Sequence, residues 1–140
     1  MEFNSTDWAL LEQLQANAAQ TNQALAERVG ISPPTALRRV RRLQAAGLIT
    51  RTVALLDADR VAAVQGHGLT AIAEVSLDRQ GAEHLAAFER RAVRESAVQQ
   101  CWRVAPGPDF MLVLRVRDMP DYQALAERLF TQDANVRNVR

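Results

Sequence analysis

Four arginines within five positions, Arg38, Arg39, Arg41 and Arg42, carry the clearest chemistry in this 140-residue chain. A guanidinium presents a planar fork of donors that matches a guanine edge or a phosphate, which suits such a cluster to nucleic acid. Nothing nearby in the sequence offsets the charge. Six arginines fall from Arg28 to Arg51 with no Asp or Glu among them, although the formal charge of the whole chain is only +1. An arginine-rich helical face is more often merely solvated surface, so the cluster means something only if a scaffold aims it.

The flanking residues read as that scaffold. Thr21 is placed to cap a helix with Leu25, Ala26 and Val29 along one side. Gly30 permits a left-handed turn, Ile31 plugs the corner, and Ser32 caps a second helix that begins with Pro33. Helix, tight turn, helix is the helix-turn-helix pattern. At about 100° per residue, Ala36, Leu37, Val40 and Leu43 share the core side of the second helix. Pro34, Thr35, Arg38 and Arg42 share the other side, with Arg39 and Arg41 on the flanks. That helix is expected to lie in a major groove of duplex DNA, with Arg38 and Arg42 as its readers.

Upstream, Ser5 or Thr6 is expected to cap a support helix with Trp8, Leu11 and Leu14 buried. Downstream, Gly47 is the expected left-handed end of the second helix, and Leu48 to Leu56 reads as a strand. A strand there would be the wing of a winged helix, with Arg51 near its tip in reach of phosphate. The loosest stretch, Gln65-Gly66-His67-Gly68, sets the expected division: a DNA-binding domain over 1–56, a linker over 57–66 and a second domain over 67–140.

The second domain changes period. Leu69 to Leu77 alternates as a half-buried strand, and Leu85, Phe88 and Ala92 mark an amphipathic helix. Val98 to Val104 alternates again; after the Pro106-Gly107-Pro108-Asp109 turn comes a strand from Phe110 to Val116. Asp118 to Asp121 caps another helix, with Tyr122, Leu125, Leu129 and Phe130 to one side, and Val136 to Val139 begins a last strand. The order β-α-β-β-α-β predicts an α+β, ferredoxin-like domain. Both helices should cover one sheet face, over Leu69, Val75, Leu112 and Leu114. The other face is expected to carry Ile72, Cys101, Met111 and Val113. Nothing in the chain is left to cover those apolar residues, which points to a homodimer that pairs them and brings two helix-turn-helix units onto one duplex.

Composition narrows the alternatives. No apolar run approaches membrane-spanning length, no secretory signal is visible at the start, and one cysteine, Cys101, suits a reducing compartment, so a cytoplasmic protein is expected. The two histidines, His67 and His84, have no metal-ligand or nucleophile–base spacing around them, so no metal, cofactor or catalytic residue is expected. All 17 basic residues are arginine, a bias that argues against reading each one as functional.

The segments DWALLEQLQ, LAERVGISPPTALRRVRRLQAAGLI and VQQCWRVAPGPDFMLVLRVRDM together resemble the Lrp/AsnC family of feast/famine transcriptional regulators. The resemblance implies a winged helix followed by a βαββαβ sensing domain, dimers joined through the sensing-domain sheets, and often tetramers or octamers. It also implies an amino-acid effector held between dimers. Carried onto this sequence, Ser32, Pro34, Thr35, Arg38, Arg39 and Arg42 sit at DNA-facing positions. The family's Gly-Asp-x-Asp turn falls on Pro106, Gly107, Pro108 and Asp109, which makes Gly107 and Asp109 the candidate effector contacts. With Gly107 where the family has its first aspartate, amino acids are expected to bind weakly, unusually or not at all. The last strand also stops early at Arg140 relative to the family pattern.

Two other functions fit the fold. Lrp-like proteins that decarboxylate sirohaem are similar in architecture, but they use His and Tyr around the second and third sensing strands, and VQQCWRVAP and DFMLVLRV contain neither. RNA-recognition domains share the βαββαβ order and stack bases on exposed aromatics of the central strands, where Met111 and Val113 stand instead.

Overall fold

The computed structural model describes residues 2–140, and the chain divides into two compact units, Met1–Leu55 and Leu56–Arg140. The first contains helices α1 (Ser5–Ala16), α2 (Asn22–Val29) and α3 (Pro33–Ala45). Leu10, Leu25, Ala26, Ala36 and Leu43 form its core, with Leu11, Leu14, Val29, Ile31, Val40 and Ile49 packed partly against it.

Two sequence expectations for α1 are corrected. Its cap is Asn4, not Ser5 or Thr6: Asn4 Oδ1 accepts from the Thr6 and Asp7 amides, and Asp7 Oδ2 accepts from the Asn4 amide at 3.0 Å, a reciprocal capping box. Trp8 is not core. It is 54% exposed and meets Phe3 edge-on, because the buried side of α1 centres on Asp7 and Leu10, with Leu11 and Leu14 at its margin. Leu37 is likewise exposed, not part of the core side of α3.

The turn between α2 and α3 follows the sequence closely. Thr21 Oγ1 accepts from the Ala24 amide, and Gly30 takes φ +75°, ψ +36°. Asn22 Nδ2 donates to the Pro33 carbonyl at 2.7 Å and ties the starts of the two helices together. Gly47, at φ +75°, ends α3 with the Leu48 amide reaching back to the Leu43 carbonyl. Leu48 to Leu56, expected as a strand, joins no sheet; residues 50–56 are exposed. A strand is held by a ladder partner, and among the described residues of this unit there is none to pair with.

The second unit opens with α4 (Ala58–Gln65), capped by the Asp57 side chain and ended by Gly66 at φ +76°. Strands β1 (Leu69–Leu77), β2 (Val98–Arg103), β3 (Phe110–Val116) and β4 (Val136–Val139) form one antiparallel sheet in the order β2-β3-β1-β4. Helices α5 (Ala82–Ala92) and α6 (Met119–Ala126), the latter continued by a π-helical turn over Glu127–Thr131, cover one face. Phe88 and Ala92 of α5 and Leu125, Leu129 and Phe130 of the other helical segment bury Val75, Leu77, Phe110, Leu112, Leu114 and Val116. The βαββαβ order and both covering helices are as the sequence predicts.

Candidate nucleic-acid interface

Helix α3 presents two kinds of arginine. Arg38 and Arg41 are exposed, and no acid pairs with either among the described residues. Arg39 and Arg42 are half-buried and turned back onto α1. Arg39 Nη1 donates to Asp7 Oδ1 at 2.9 Å and to Asn4 Oδ1 at 3.1 Å. Arg42 Nη2 donates to Asp7 Oδ2 at 3.1 Å and to the Glu2 carbonyl at 3.0 Å, with its guanidinium 5.0 Å over the Phe3 ring. The acid missing from the sequence around the arginine cluster thus arrives from 32 residues upstream. Local sequence could not reveal this. Within its own segment Asp7 is only an acid in the first turn of α1, and only the packing of α1 across α3 turns it into a counter-ion.

Asp7 has no solvent exposure. Burial pushes its carboxyl up, but the Asn4 amide and the Arg39 and Arg42 guanidiniums outweigh that and hold its pKa below the ordinary 3.8. A lowered native pKa stabilises the fold fully above the unfolded value, and that stability is lost as pH falls through the native value. Circular dichroism of acid titrations should therefore show the first unit weakening below about pH 4, with Asp7→Asn flattening that dependence. An unchanged acid profile in Asp7→Asn would show that these ion pairs do not set the acid stability of the first unit.

The remaining DNA-facing candidates are placed as follows. Ser32 makes no cap bond to the α3 backbone; its hydroxyl instead lies 2.8 Å from that of Thr35, so the two form one polar point at the start of α3. Pro34 is exposed in the first turn, and Arg51 is exposed in the extended segment after α3. Arg38, Arg41, Pro34 and the Ser32–Thr35 pair thus lie on the solvent side of one helix, while Arg39 and Arg42 are engaged with Asp7.

The uncovered sheet face of the second unit holds Ile72, Met111 and Val113, with Ile72 opposite Val113 and Glu74 opposite Met111. Cys101 is not among them. It pairs with Leu112 and packs against the helix-covered core. A register shift between Val98 and Gln100 is the cause: one extra residue reverses which side every later residue of β2 faces. The same shift brings Trp102 to the open face, opposite Met111, where it is 59% exposed and donates to Gln100 Oε1. The Cys101 thiol is pushed up by burial and by Glu89, against the opposing pull of Arg103, which leaves it a poor nucleophile. Trp102 is a single aromatic on an edge strand, short of the stacking platform that RNA recognition uses.

The effector candidates separate. Gly107, at φ +126°, lines a shallow cleft of about 210 Å³ with Glu74, Ser76, Pro108, Arg137, Asn138 and Arg140. Asp109 is absorbed by the fold: its Oδ2 accepts from the Leu77 amide at 2.6 Å and from Gln80 Nε2 at 3.3 Å. Among the described residues no cluster of three or more His, Cys, Asp or Glu could hold a metal ion, and no helix is long and apolar enough to cross a membrane.

Known proteins match both units. A winged helix-turn-helix DNA-binding model matches residues 3–50, and an Lrp/AsnC ligand binding domain model matches residues 70–140. The chain is 36% identical over 140 residues to a leucine-responsive regulatory protein of Rhizobium meliloti, covering all of this chain and 87% of that one. It is 32% identical to the bkd operon transcriptional regulator of Pseudomonas aeruginosa, covering 93% of this chain and 82% of the relative. Among solved structures, an AsnC family transcriptional regulator from Agrobacterium tumefaciens superposes with a TM-score of 0.79 at 25% identity, over 99% of this chain and 87% of the other. A transcriptional regulator from Neisseria meningitidis in complex with L-Met gives 0.78 at 28% identity with the same coverage.

Proposed function

Because this chain belongs to the Lrp/AsnC family of transcriptional regulators, we infer that it reads duplex DNA through the solvent side of α3, as a homodimer, in the cytoplasm. One observation carries the reading. The turn at Gly30 and the bond from Asn22 to Pro33 fix α3 on its support, while Arg38 and Arg41 stay exposed with no acid paired to them among the described residues. Arg38 is the base or phosphate reader, assisted by Arg41 and the Ser32–Thr35 hydroxyls; Pro34 and Arg51 lie where backbone contacts would fall. Arg39 and Arg42 support the helix from behind.

A bidentate base contact is worth roughly 1–3 kcal/mol, so Arg38→Ala should weaken binding to a duplex selected by the wild-type protein about 5- to 100-fold. Fluorescence anisotropy, with the RNA of the same sequence as competitor, is the measurement. RNA that competed as well as the DNA duplex would favour the other nucleic acid and overturn the assignment.

The dimer forms through the open sheet face, with Ile72, Met111, Val113 and Trp102 at its centre, and larger tetramers or octamers assemble from such dimers. Amino acids bind weakly or not at all at the Gly107 turn. Asp109 is already committed to Leu77 and Gln80, and Pro106 and Pro108 have no amide to offer a carboxylate. Any zwitterion in the neighbouring cleft would depend on Glu74, Arg137 and Arg140. Calorimetric titration of the twenty amino acids is expected to give no micromolar ligand. Such a ligand seen beside Gly107 in a crystal would contradict this.

A further inference from the structure

The fully buried carboxylate of Asp7 has a consequence for DNA selectivity. We propose that Asp7 is a positioning residue that withholds Arg39 and Arg42 from DNA, so that α3 offers duplex only Arg38 and Arg41 and background affinity stays low. The inference rests on the reading of α3 as the DNA-binding helix.

Asp7 is the one buried charged side chain among the described residues, and each of its oxygens accepts from a different arginine of α3. One donor edge of each arginine is also closed to a phosphate. Among the described residues the Nε atoms of Arg39 and Arg42 are buried with no hydrogen-bond partner, so the Nε-side edge of each guanidinium faces protein, and one nitrogen of each Nη pair is already donating to Asp7. Arg42 is clasped a second time by the Glu2 carbonyl and the Phe3 ring.

What this prevents follows from how duplex binding depends on charge. Phosphate contacts act on every sequence alike, and each adds to background binding and steepens the salt dependence by about 0.9 in log–log slope. Four free arginines on one helix would hold any duplex; two held back leave base contacts a larger share of the binding. The restraint is also releasable in principle, because the Arg42 side chain is 38% exposed and has room to swing outward once the carboxylate is neutral.

The test compares wild type with Asp7→Asn on two probes: a duplex selected from a random library by the wild-type protein, and a random-sequence duplex of equal length. Asp7→Asn should bind the random duplex roughly five- to tenfold more tightly at about 0.1 M salt for each released arginine, with a salt slope steeper by about 0.9 per arginine. Selectivity for the selected duplex should fall in step. A residue that merely held the fold together would weaken both probes and would not steepen the slope.

The triple variant Asp7→Asn, Arg39→Gln, Arg42→Gln guards against misfolding of the single one, since it replaces the whole charged cluster with neutral hydrogen-bonding groups. It should keep the wild-type salt slope. A slope shallower by about one or more per protomer would mean that Arg39 or Arg42 contacts phosphate in the native protein, and the proposal would fall. So would a folded Asp7→Asn with unchanged slope and selectivity. Wild type that fails to prefer its selected duplex would instead overturn the DNA-binding reading itself.

Discussion

Met111→Glu combined with Val113→Glu is expected to turn the protein into a monomer at micromolar concentration. Both side chains stand on the sheet face that α5 and α6 leave open, and Val113 lies directly opposite Ile72, which is 64% exposed. In the proposed dimer each substitution buries an unpaired carboxylate, the one at 113 opposite Ile72 and the one at 111 opposite Glu74, and symmetry doubles the count to four. An unpaired buried charge costs several kcal/mol after relaxation, more than enough to shift a dimer equilibrium a thousandfold. The helix-covered core, from Val75 to Phe110 and Phe88, is untouched by either change, so the monomer should stay folded. Sedimentation equilibrium reads the outcome; a double variant still dimeric at that concentration would move the interface elsewhere.

Arg39→Ala is expected to abolish selective DNA binding by unfolding the first unit, not by removing a DNA contact. It leaves Asp7 buried with only Arg42 and the Asn4 amide to balance its charge. Removing one partner of a buried pair costs about 3–5 kcal/mol, discounted toward the lower figure because Arg39 itself is 23% exposed. A small helical unit has little stability beyond that to lose. Arg38→Ala makes the contrasting case. Arg38 is exposed with no ion-pair partner among the described residues, so its loss should leave the thermal midpoint within the small range usual for surface changes while binding falls. Two neighbouring arginines should thus weaken DNA binding by different routes, which paired melting and binding curves separate. Equal thermal midpoints for Arg38→Ala and Arg39→Ala would refute the distinction.

The elements themselves were legible because local rules suffice to set them. Thr21, Gly30, Ser32 and Pro33 each carry a cap or turn preference that does not depend on distant residues, and Phe110 to Val116 alternates cleanly enough to declare its buried face. What was illegible was set by contacts remote in sequence. The role of Asp7 depends on residues 32 and 35 positions away, and no periodicity within α3 could say that Arg39 and Arg42 fold back while Arg38 does not. The facing of Cys101 and Trp102 hung on one extra residue in β2, which strict alternation from Val98 could not register. Asp109 looked available because a turn acid normally is; its bond to the Leu77 amide closes across the sheet end from 32 residues away. The segment after α3 has the β-branched residues of a strand, but composition does not supply a ladder partner.

The proposed dimer places two copies of α3 in the major groove of one duplex. Methylation interference at guanine N7, combined with a hydroxyl-radical footprint on the duplex selected by the wild-type protein, addresses this most directly. N7 lies in the major groove beside the atoms an arginine fork uses. Two clusters of interfering guanines are expected, separated by about 10 base pairs or a multiple of that, with Arg38→Ala erasing interference in both at once. A single unrepeated cluster, or a clear footprint with no guanine interference at all, would contradict the dimeric major-groove reading.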